Sequence, residues 1–108
     1  MIFNRRKKTV EVQLAGRRLV LDPLPVELYG SFRDVCGRLA LGVKPPKPPN
    51  WYQDLRTALS FVFLAAKEHD PKLDLSDLGR PTVEDSAEAI ARLLELSHKH
   101  CSRRQHAR

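Results

Sequence analysis

NWYQDLRTALSFVFLAAKEH, residues 50–69, has one reading, a long helix, and the flanking segments are arranged by what such a helix needs. Pro48 and Pro49 precede it and do not sit easily inside a helix. Asn50 is a favoured N-cap, and Asp54 brings negative charge to the positive helix end. Leu55, Ala58, Leu59, Val62, Leu64, Ala65 and Ala66 carry the apolar pattern, widened by Phe61 and Phe63. From Ser60 to Ala66 the segment is apolar on nearly every side, which predicts burial on most faces. Pro71 ends the helix, giving a length of roughly 28 Å at about 1.5 Å per residue. The plain reading is a central core helix. The sharper one has part of its surface dock a partner's helix or a second copy.

Upstream, Val43–Pro49 (VKPPKPP) is a stiff, extended linker. Before it, Val26–Leu41 reads as a helix with Leu28, Tyr29, Phe32, Val35, Cys36 and Leu39 on one face and Gly42 as its cap. Gly30 and Gly37 weaken this helix; the alternatives are a poorly optimised surface or close approach of another backbone. Thr9–Leu21 (TVEVQLAGRRLVL) alternates as a β-hairpin about an Ala15-Gly16 turn. An isolated hairpin is marginal in water, so it lies on the helices or pairs with another chain through its edge. Downstream, Leu73, Leu75 and Leu78 tack an acidic loop to the core, with a single helical turn at Ser76 or Asp77. Thr82–His98 is the last helix, capped by Thr82 with Asp85, its stripe formed by Val83, Ala87, Ile90, Ala91, Leu94 and Ser97 and widened by Leu93.

The fold class expected is α+β: an N-terminal hairpin on a bundle of about three helices, with disordered basic ends. The divisions are a basic arm at 1–8, one domain at 9–98 and a basic tail at 99–108. The net charge of +6 belongs to the ends. All 13 acids lie between Thr9 and His98 with eleven Lys and Arg residues, leaving the middle at −2. Arg5, Arg6, Lys7, Lys8, Arg103 and Arg104 are the candidate polyanion contacts. No run is long enough to span a bilayer, and MIFNRRKK lacks the apolar segment of a signal peptide. Cys36 and Cys101 lie far apart, which fits a reducing compartment.

Chemistry is sparse. There is no Gly-rich phosphate loop, nucleophile elbow or HExxH. The acids Asp70, Asp74 and Asp77 fail the calcium-loop pattern, which needs Gly sixth and Glu twelfth, where Leu75 and Pro81 stand. His98, His100 and Cys101 with His69 or His106 match no standard metal spacing. No catalytic residue, metal or cofactor is assigned, and an enzyme is not expected.

The order of elements carries more. A hairpin TVEVQLAGRRLVL leaving through Leu24-Pro25, a helix, an apolar helix closing on Ala65-Ala66 and His69-Asp70-Pro71, and a final helix DSAEAIARLLELS together resemble the small tail assembly chaperones of long-tailed phages and prophages, the lambda-G-like group. The likeness spans Thr9 to Ser97 and rests on hydrophobic patterns; VKPPKPP departs from it. It implies a host-cytoplasmic protein, absent from the mature virion, that binds the tape measure protein while the tail tube assembles, with the tail tube protein as a further partner. Trp51, Tyr52, Leu55, Leu59 and Phe63 would then form the partner groove, as its surface or its core. Multivalent, weak binding along one partner and homo-oligomerisation both fit this reading. The competing class is a small phage-derived nucleic-acid-binding or regulatory protein using the basic ends. Against it stand the acidic middle and the acids at the start of the last helix. A third reading is an uncommitted oligomerisation module.

Overall fold

The computed structural model describes residues 8–39, 49–74 and 81–106. It is an α+β structure: a two-stranded antiparallel hairpin followed by three helices. The arm at 1–7, the Gly42 cap, most of the proline linker, Leu75, Leu78 and the turn at Ser76 or Asp77 lie outside the described residues.

Strands β1 (Val10–Leu14) and β2 (Arg17–Leu21) pair with Val12 opposite Leu19 and Leu14 opposite Arg17. Both connecting residues have positive φ, Ala15 at 52° and Gly16 at 77°. Two left-handed residues are what a type I′ turn demands. Gly16 adopts that conformation freely, whereas Ala15 carries a Cβ into it at a cost of about 1–2 kcal/mol. Val12, Leu14, Leu19 and Leu21 point inward and are buried. The β1 half of this face lies on α3 (Val83–His106), and the β2 half on α2 (Pro49–Lys67). The hairpin is therefore held by helices, as an isolated two-stranded unit requires.

Helix α1 (Val26–Leu39) buries Phe32, Val35, Cys36 and Leu39. Phe32 meets Phe61 of α2 with ring centroids 5.3 Å apart. Among the described residues a Cβ built on Gly30 or Gly37 meets nothing within 4 Å, so neither glycine marks a close backbone approach there. The start of α2 differs from expectation. Its first helical residue is Pro49, so Asn50 lies inside the first turn rather than capping it. Proline suits the first helical position because the missing N–H has no intrahelical partner there.

The apolar run of α2 is also less covered than its composition predicts. Val62, Ala65 and Ala66 are buried, Phe61 and Phe63 are half-buried, and Ser60 and Leu64 are exposed. One face of the helix meets the other described elements, and Ser60 and Leu64 lie away from it.

Helix α3 departs most. It continues to His106, eight residues past the expected stop at His98, so 99–106 is helix rather than tail. Its buried stripe is Ser86, Ala89, Ile90, Leu93, Ser97 and Cys101, rotated from the expected one: Val83 and Ala91 are exposed. Two serines and a cysteine hold core positions because their polar atoms are satisfied. Ser86 Oγ donates to the Thr82 carbonyl at 2.8 Å. Ser97 Oγ accepts the Leu24 N–H at 2.9 Å, and Cys101 Sγ lies 3.9 Å from the Leu24 carbonyl oxygen. The Thr82 cap is present: its Oγ1 accepts the Asp85 N–H at 3.0 Å.

Candidate partner-binding surface

The aromatic candidates at the start of α2 separate cleanly. Trp51 is 6 % exposed, and its Nε1–H donates to the Leu39 carbonyl at 2.6 Å. The last carbonyls of a helix lack intrahelical donors, so Trp51 supplies one to α1 while filling the α1–α2 seam. Leu55 and Leu59 are buried beside it. These three are core. Tyr52 is 45 % exposed and stands edge-on to Trp51, with centroids 5.2 Å apart. Phe63 is half-buried against the core. Eleven residues is close to three helical turns, so Tyr52 and Phe63 share one flank of α2.

A cleft opens on the other flank. About 500 Å³ in volume, it lies between the strand exit at Pro23–Pro25, Leu28 of α1, Leu64 and Ala65 of α2, and His100 of α3. Its wall is built by the Leu24 clamp. With both backbone groups of Leu24 engaged by α3, the exit segment is fixed across the end of the bundle. A second tie comes from His69 Nε2, 2.7 Å from Asp22 Oδ1, and a third from the Asp22 N–H, which donates to the Ala65 carbonyl at 3.4 Å. Leu64, half-exposed at 50 %, stands at the cleft, and Asp22 and Glu68 add two acids to the lining. A mostly apolar trough with a large aliphatic side chain left in water can take the apolar face of a helix.

The composition of α2 hid this site. Leu64 looks like one more core residue in an apolar run, and Leu28 looks like part of the α1 stripe. Only the helical angle of Leu64, away from Val62 and Ala66, carries a signal.

The other candidates are dispersed. Arg103 and Arg104 lie in the last turns of α3; Arg5, Arg6 and Lys7 lie outside the described residues, and Lys8 is exposed. The His98, His100 and Cys101 trio diverges. His98 Nδ1 is 2.8 Å from the Tyr29 hydroxyl, His100 lines the cleft, and Cys101 is buried. Among the described residues no three His, Cys, Asp or Glu side chains gather in a metal-holding group. Cys36 and Cys101 are both buried. Burial pushes the Cys36 thiol up to about 11, which keeps it protonated and unreactive near neutrality. Among the described residues no helix is long and apolar enough to cross a membrane.

No family model matches the chain, and neither a curated protein nor a solved structure matches it.

Proposed function

We propose that the protein is a tail assembly chaperone of a phage or prophage that binds the tape measure protein through helix-in-groove contacts during tail morphogenesis. The observation that carries this reading is the apolar cleft at Leu24, Leu28, Leu64 and Ala65, with Leu64 left half in water. The order of elements, hairpin then three helices, supports the resemblance on which the partner's identity rests. A long helical partner offers repeated apolar stripes, so many weak copies along it gain from multivalency. The tail tube protein is a second partner on the same reading, and the site of action is the host cytoplasm.

The test is co-expression with a tape measure protein encoded nearby, followed by co-purification at high salt. A stoichiometric soluble complex is expected for the natural sequence, and Leu64→Lys is expected to lose it while remaining folded by circular dichroism. A partner that precipitates regardless, or a complex indifferent to Leu64→Lys, overturns the proposal. A complex that forms only at low salt, or only with nucleic acid, favours the basic ends instead.

A further inference from the structure

We propose that the outer edge of β1 docks a second copy of this chain, whose basic N-terminal arm lies as a third strand in the groove between β1 and α3. The proposal stands apart from the chaperone reading. With a two-residue turn, Leu14–Arg17, Val12–Leu19 and Val10–Leu21 are the hydrogen-bonded pairs. The backbone N–H and C=O groups of Glu11 and Gln13 therefore face away from β2. Arg92 Nη1 donates to the Glu11 carbonyl at 2.9 Å, which marks the outward direction of that oxygen. A carbonyl oxygen has a second lone pair, so an incoming strand N–H can share it. Such an edge is a template for another strand unless it is covered.

Alongside it runs a groove of about 320 Å³, lined by Glu11, Val12 and Gln13 on the strand and by Asp85, Glu88 and Arg92 on α3. Its charges are partly matched already: Arg18 stands 3.8 Å from Glu11, and Arg92 stands 3.8 Å from Glu88. Asp85, half-buried, has no ion-pair partner among the described residues. The groove is thus one cation short.

Sequence names the occupant. Arg5, Arg6, Lys7 and Lys8 lead directly into β1. Antiparallel pairing about Thr9 of each copy sets Lys7 of the second copy opposite Glu11, its Arg6 opposite Val12 and its Arg5 opposite Gln13. Strand alternation turns Arg6 toward α3, on the side of Asp85 and Glu88. Each copy does the same for the other, so the contact is two-fold and closes. Folding back tightly onto its own edge would place a two-residue turn at Lys7-Lys8, because Val10 is already bonded to Leu21, and neither lysine suits the positive φ of such a turn.

Sedimentation equilibrium of the full chain at low and high salt tests this. A reversible dimer is expected, weakened about tenfold or more as salt screens the arm. Arg5→Glu, Arg6→Glu and Lys7→Glu together are expected to abolish it while the chain stays folded by circular dichroism. Mixing that variant with one carrying Glu11→Lys, Asp85→Lys and Glu88→Lys is expected to restore a heterodimer. A chain monomeric throughout, or a dimer indifferent to arm reversal, overturns the proposal. So does arm reversal that speeds amide exchange at Glu11 and Gln13 in a monomer, which would place the arm on its own strand.

Discussion

Helices α2 and α3 present their buried faces in different chemical languages. The α2 stripe of Trp51, Leu55, Ala58, Leu59, Val62, Ala65 and Ala66 is written in hydrocarbon. The α3 stripe passes through Ser86, Ser97 and Cys101, whose burial depends on specific partners on Thr82 and Leu24. Apolar periodicity finds the first kind of face. The second is read only in part: Ser97 falls on the expected stripe but Ser86 and Cys101 do not, because such a residue enters the core only where a partner waits for its polar atom, at Thr82 for Ser86 and far away in sequence at Leu24 for Ser97 and Cys101.

The largest test of the contrast is at the α1–α2 seam. Trp51→Ala is expected to cost about 3–5 kcal/mol in urea unfolding, since it opens a cavity and strips the Leu39 carbonyl of its donor. Its neighbour Tyr52→Ala is expected to cost less than about 1 kcal/mol, because that side chain stands half in water. Equal costs would mean that α2 packs on the other flank.

Ser97→Ala probes the other language. It leaves the buried Leu24 N–H unpaired, and a loss of about 1–3 kcal/mol is expected in the same assay, more than a lone methyl-for-hydroxyl change on a surface would give. No loss would show that the clamp is ornamental.

Alkaline titration makes a finer distinction. The Cys36 thiol is raised from 9.0 to about 11 by burial, so the folded chain holds this proton where the unfolded chain has released it. The contribution is fully present below about pH 9 and is lost as pH rises toward 11, a fall that Cys36→Ala is expected to flatten. The smallest effects are gains. Ala15→Gly relieves the left-handed turn, and Gly37→Ala fills open space on α1; each is expected to add about 1 kcal/mol by thermal melting.

The hairpin, its alternating face and three helices were legible because their signals are local: period two from Val10 to Leu14, a glycine turn, and three- to four-residue spacing along α1. The two errors of extent have physical causes. At the start of α2, Pro49 is a helix former at one position only, and sequence favoured Asn50 as the cap. At the end of α3, the basic run from Lys99 looked like a solvated tail, yet Cys101 beneath Leu24 draws it into helix. The five candidate groove residues of α2 divide into Trp51, Leu55 and Leu59 within and Tyr52 and Phe63 toward the surface, a division set by which neighbours arrive. The cleft at Leu64 was not legible, because it is made where three stretches distant in sequence meet.

The Leu24 clamp has a consequence for how the chain is made. Its two halves are 73 residues apart for Ser97 and 77 for Cys101. A ribosome adding about 5–20 residues per second needs roughly 4–15 s to span that gap. For that interval the hairpin exists without the helix that secures its exit, its apolar face open to whatever is nearby. Closing so long a loop is slow relative to local helix formation. Folding of this small protein is therefore timed by its last helix, and a nascent chain held short of Ser97 would present an unfinished, adhesive sheet.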